Sequence, residues 1–171
     1  HAVNTGATGL WISSPGVSAT VQDSGRRGCR QQGLAAGGAL DLHAFNWANK
    51  LLDNPTGAAC LEIMLGGFRA VAETDITLAV TGAQAPITIN GIQSAQWQTL
   101  ALKAGDELAI GHADSGRIIY LALPGGIDSP FTPAKIASEQ MDTIAESVYS
   151  AARSHPELQP CLKGGAADDK V

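Results

Sequence analysis

Residues 60–123 alternate short apolar runs with turn signals, and this rhythm constrains the fold more than any other feature of the sequence. The runs at 60–65, 68–72, 76–80, 86–90, 92–96, 99–102, 107–110 and 117–123 have strand length and strand composition. Two shorter candidates precede them, at 10–12, stopped by Ser13-Ser14-Pro15-Gly16, and at 17–21. Asn90-Gly91 is the preferred two-residue hairpin pair, because both central positions need φ > 0. Lys103-Ala104-Gly105-Asp106 reads as the turn of a second hairpin, joining 99–102 to 107–110. Pro124-Gly125-Gly126 closes the last strand. Many short strands at this spacing predict a mainly β protein, a sandwich or a barrel. With 16% charged residues and 20 glycines in 171, a turn-rich β fold is favoured over a helical bundle.

Two helices interrupt the pattern. Asp41 is a good N-cap, and Leu42, Phe45, Ala48 and Leu52 follow at helical spacing as the predicted buried stripe. Asn54-Pro55 ends this helix, at about 41–53. Thr132-Pro133 opens a second, at about 133–153, where Ala137, Met141, Ile144, Ala145, Val148 and Ala152 recur along one face. That stripe packs on its own barrel or against a second copy of the chain. The predicted organisation is a β domain over 1–130 and a helical tail over 131–171.

Between the early strands and the first helix, residues 20–41 contain five glycines, three arginines and few large apolar side chains. Such a ribbon makes no core. Its glycines let main chain approach a ligand, and its arginines offer planar forks for a carboxylate or phosphate. Gln22, Asp23, Arg26, Arg27 and Gln31 are its candidate ligand contacts. Asp23 either orients an arginine for an anion or pairs with Arg26 to hold its own loop. Gly38 and Asp41 precede a helix N-terminus, where free N–H groups suit an anion, although Asp41 also serves as a plain cap. Glu62 is the single charge in an apolar strand. It is either a general acid or base, with Asp23 the other catalytic candidate, or a partner for a loop arginine, or an outward-facing strand residue. Thr81-Gly82 and Gly125-Gly126 follow strands, where binding loops gather.

Several function classes are disfavoured. A net charge of −5 without a basic patch argues against nucleic-acid binding. No apolar run approaches the roughly 18 residues needed to span a bilayer. Cys29, Cys60 and Cys161 form no C-x-x-C pair, and the four histidines show no ligand spacing, so neither a metal site nor a disulfide framework is indicated. Free thiols in a reducing cytoplasm are the expected state.

Six ordered blocks resemble a known family. They are Thr20-Val-Gln-Asp-Ser-Gly-Arg-Arg-Gly28, Gly37-Gly-Ala-Leu-Asp41, Ala48-Asn-Lys-Leu-Leu-Asp-Asn-Pro55, Leu61-Glu-Ile63, Val80-Thr-Gly-Ala83 and Tyr120-Leu-Ala-Leu-Pro-Gly-Gly-Ile-Asp128. Together they resemble the N-terminal half of the biotin-dependent carboxyltransferase family, which includes KipA, allophanate hydrolase subunit 2 and the C subunit of 5-oxoprolinase. The resemblance implies a cyclophilin-like β-barrel that works in a complex. Its partner would be a KipI-like protein, similar to the B subunit of 5-oxoprolinase. The implied reaction is ATP-dependent 5-oxoproline cleavage or the carboxyltransferase step of a urea carboxylase. This chain would bind no cofactor itself, ATP or biotin belonging to the assembled complex. The blocks at 22–31 and 38–41 would line the substrate groove. Residues 131–171 do not match the family's continuation. Besides an enzyme subunit inactive on its own, the resemblance leaves open a KipA-like regulatory module or a truncated, self-associating barrel.

Overall fold

The computed structural model describes residues 9–26, 28, 33 and 35–129. The predicted tail helix at 133–153 lies outside the described residues. Ten strands and one helix follow in the order β1 (Leu10–Pro15), β2 (Ser18–Gln22), α1 (Leu42–Lys50), β3 (Cys60–Met64), β4 (Gly66–Ala72), β5 (Ile76–Gln84), β6 (Ile87–Ile89), β7 (Ile92–Ser94), β8 (Thr99–Leu102), β9 (Glu107–His112) and β10 (Ser115–Ala122). The mainly β expectation with one helix near 41–53 therefore holds. The pairing forms two antiparallel five-stranded sheets, β1-β4-β9-β6-β7 and β2-β3-β10-β5-β8, and not one closed ring among the described residues.

The core lies between the sheets. Phe68, Ala70, Ile87, Leu108 and Ile110 of the first sheet meet Ile63, Leu78, Val80, Ile119 and Leu121 of the second. These residues recur at every second position along their strands, so one face of each strand is buried by the pleat itself. The second sheet is covered on its other face as well. There Cys60, Tyr120 and Ala122 pack under Ala44, Phe45 and Ala48 of α1. Phe45 meets the Tyr120 ring edge-on at 5.9 Å and 72°, a geometry that adds about 0.5–1.5 kcal/mol beyond area burial.

Three expectations are corrected. Strand β1 runs on through Pro15, past the predicted stop at Ser13. A register shift between Ile12 and Ser14 absorbs the irregularity, and an edge strand tolerates a proline. The run 99–102 does not form a hairpin with 107–110: β8 pairs with β5, whereas β9 pairs with β4 and β6. The turn between them carries the chain from one sheet to the other, anchored to the end of β4 by Gly105 N to Ala72 O and Ala72 N to Asp106 O. Finally, Leu42 of the predicted stripe is exposed, and the buried face of α1 is Ala44, Phe45, Ala48 and Asn49. The Asn90-Gly91 hairpin joins β6 and β7 with both central φ values positive, at 51° and 78°.

Candidate functional site

The base of the glycine-rich ribbon is zipped onto itself. Arg26 N donates to Ala36 O, Ala39 N to Asp23 O and Gly25 N to Asp23 Oδ1. A Cβ at Gly38 would stand 2.6 Å from Gly25 N, so the two crossing segments require glycine for packing. Asp23 is buried, and Arg26 Nε is buried without a hydrogen-bond partner among the described residues. Gln22 belongs to β2, its Nε2 donating to Thr20 Oγ1. Arg27 and Gln31 lie outside the described residues.

The ribbon ends on a latch. Glu62 Oε2 accepts from the Tyr120 hydroxyl at 2.6 Å and from Leu40 N at 2.9 Å. The same hydroxyl accepts from Asp41 N at 2.9 Å. Tyr120 and Glu62 are direct register partners in β10 and β3. Burial first, and then the neighbouring Glu62 carboxylate, push the Tyr120 phenol well above its ordinary pKa. Asp41 Oδ1 accepts from His43 N and Ala44 N and caps α1 as expected. The amides of Leu40, Asp41, His43 and Ala44 are thus engaged by the protein's own Glu62, Tyr120 and Asp41. Glu62 does not face solvent, because α1 covers the face of β3 on which it lies.

Thr81 is fully buried, its hydroxyl donating to Ala44 O at 2.7 Å and tying β5 to α1. Gly125 and Gly126 lie toward the other end of α1. Gly125 N donates to Asn54 Oδ1, and Asn54 Nδ2 donates to Leu123 O and Asn49 Oδ1. A nine-residue helix spans about 14 Å, so the Gly125 turn stands a helix length away from Asp41.

Of the predicted residues, Asp41 and Gly82 do meet in one place. A groove of about 390 Å³ is lined by Asp41, Gly82, Ala83, Gln84, Ser115, Gly116, Arg117 and Ile118. It opens where the β5–β10 ladder is interrupted: Ser115 pairs with Gln84, and the next partners are Ile119 and Gly82, so Gly116, Arg117 and Ile118 face Ala83 alone. Irregularities of this kind re-aim side chains and concentrate near active sites. Gly82 (φ 99°) cannot carry a Cβ, which would collide with the Ile118 carbonyl. Arg117 is exposed and makes no ion pair among the described residues, where Arg69–Glu107 and Lys103–Asp75 form the two bridges. Sequence reasoning passed over Arg117, Ser115 and Gln84. The available signal was Ser115-Gly116-Arg117, a glycine and a cation at the start of an otherwise apolar strand.

An aromatic group flanks α1. His43 stands 6.3 Å from Trp47 and 6.0 Å from Trp97, ring centre to ring centre, and Lys50 Nζ lies 4.7 Å over the Trp47 ring. Trp97 has φ 61°, costly for a bulky residue. Its loop is held by Trp97 N to Val80 O and by Gln96, which bonds both Ala83 and Ala85.

The two-sheet β body with one capping helix has known counterparts. Residues 32–144 match the carboxyltransferase domain, subdomain A and B, and the chain belongs to that family. It is 42% identical over 123 residues to the C subunit of 5-oxoprolinase from Escherichia coli K12, covering 71% of this chain and 39% of that protein. It is 35% identical over 120 residues to urea amidolyase of Lachancea kluyveri, covering 70% of this chain and 7% of that one. Among solved structures, the K. lactis urea amidolyase superposes with a TM-score of 0.69 at 34% identity, over 72% of this chain and 8% of that one. TTHA0988 superposes at 0.67 and 29% identity, over 73% of this chain and 47% of that one. The chain therefore spans well under half the length of the curated relatives it matches.

Proposed function

We propose that this chain is a subunit or domain of an amide- or lactam-processing complex of the 5-oxoprolinase or urea carboxylase kind, in which it binds a small carboxylate substrate. The observation that carries the reading is the 42% identity over 123 residues to a protein named as a 5-oxoprolinase subunit. The groove at Asp41 and Gly82 supplies a concave surface of ligand size in support. In this reading Glu62, with Tyr120, positions the ribbon and the helix start, and Asp23 holds the ribbon's base. The amides of Leu40, Asp41, His43 and Ala44 at the helix start are engaged by the protein's own side chains, and in this reading the chain binds no nucleotide there. ATP or biotin would be held by a partner, in the first instance a protein like the B subunit of 5-oxoprolinase, in the cytoplasm.

The test is reconstitution of the chain with partner subunits from the same source, followed by an assay of ATP-dependent conversion of 5-oxoproline to glutamate. The expected result is turnover that requires this chain. A stable complex with no turnover of 5-oxoproline, and no urea-dependent carboxylation, would overturn the reading.

A further inference from the structure

The geometry points to a two-pronged subsite, Arg117 and Asp41, that takes a small carboxylate bearing an amide or lactam N–H. Arg117 would hold the carboxylate and Asp41 the N–H. This deepens the function proposed above and rests on it for the choice of ligand.

Four observations carry the inference. Arg117 lines the groove and has no ion-pair partner among the described residues, so its planar fork is available for a carboxylate. Asp41 lines the same groove, and its two capping bonds both fall on Oδ1. Oδ2 has no hydrogen bond among the described residues and is free to accept an N–H. The two charges share the groove without forming a salt bridge, so a ligand with a negative end and a donating N–H can bridge them. The site is also shaped at a structural cost. Three residues of β10 oppose one of β5, and the glycines Gly82 and Gly116 both have positive φ, at 99° and 84°. A Cβ at Gly116 would crowd that of Ala83 to 2.9 Å, so the floor admits no larger residue there. A groove of about 390 Å³ holds a ligand of this size with room for bridging water.

Calorimetry on the 171-residue chain tests this with four probes: 5-oxoproline, 2-pyrrolidone (the same ring without the carboxylate), N-methyl-5-oxoproline (without the N–H) and inorganic phosphate. The expected result is that 5-oxoproline binds and the other three bind at least about tenfold more weakly. Arg117→Gln should weaken 5-oxoproline by about 10- to 100-fold, the value of one charge-assisted contact pair, with Arg117→Lys between the two. Asp41→Asn keeps a capping oxygen and should abolish the discrimination against the N-methyl ligand. Melting curves of all variants exclude misfolding as the cause. Binding unchanged by Arg117→Gln, equal binding of 2-pyrrolidone, or equal binding of phosphate would each overturn the subsite and leave the proposed function standing. No heat with 5-oxoproline, together with an unchanged KM in an Arg117→Gln reconstituted complex, would overturn it too. Arg117-dependent binding in a chain whose reconstituted complex never turns over would uphold the subsite and reject the function.

Discussion

Replacing Tyr120 by Phe removes one oxygen atom from the junction of β3, β10 and α1, and the structure says what that atom does. The hydroxyl donates to Glu62 Oε2 at 2.6 Å and accepts from Asp41 N at 2.9 Å, and Tyr120 is fully buried. The ring remains in the variant, so the edge contact with Phe45 survives and the change isolates the two hydrogen bonds. The buried Glu62 keeps Leu40 N but loses its second donor, and Asp41 N loses its acceptor at a partly buried position. Leaving a buried polar group short of a partner costs about 1–3 kcal/mol. Taking about 2 kcal/mol, and about 2–4 °C per kcal/mol for a chain of this size, Tm should fall by roughly 4–8 °C at pH 7. Calorimetry or circular dichroism at matched protein concentration reads the shift. The pH dependence gives a second arm. The folded-state pKa of Tyr120 is raised by burial and by Glu62. A phenol whose folded pKa lies above its unfolded value of about 10 stabilises fully below pH 10 and progressively less above it. The wild type should lose up to about 1.4 kcal/mol per pH unit above pH 10 from this residue, and Tyr120→Phe should lack that component. A variant melting within about 1 °C of wild type, or one with the same alkaline slope, would refute the latch.

Gly82→Ala should destabilise by several kcal/mol, more than the roughly 1–3 kcal/mol of backbone strain alone, because the new methyl group collides with the Ile118 carbonyl; a urea midpoint equal to wild type would show that the interrupted ladder relaxes freely. Burial pushes the Cys60 thiol up to about 12, so it is protonated and inert at pH 8. In a Cys29→Ser/Cys161→Ser variant, iodoacetamide should label Cys60 only after denaturation, and rapid labelling of the folded protein would count against the packing of α1 on the second sheet.

Much of the strand pattern is legible residue by residue. Alternation in 68–72 and 107–110, the Asn90-Gly91 turn and the Asp41 cap are properties of neighbours in the chain, and each appears where the local pattern places it. The failures have a common form. Leu42 fits a helical stripe, but the surface that α1 covers is set by Tyr120 and Cys60, which lie far along the chain. The turn at 103–106 carries hairpin chemistry, but its backbone is claimed by Ala72, so β8 and β9 part into different sheets. For the site, the glycine-rich ribbon draws attention through its arginines, yet the groove that emerges is built at its far end, with Arg117 from the last strand.

The sequence by itself determined the β character, the helix start at Asp41 and the Asn90-Gly91 turn, because each follows from steric and hydrogen-bonding rules acting over a few residues. Only the tertiary structure decided that the second face of β3 is covered, which turns Glu62 from a surface charge into a buried anchor. It alone decided, too, that Arg117 and Asp41 share a groove. A side chain's exposure and company depend on which distant elements are laid against it, and no local pattern in a chain encodes that.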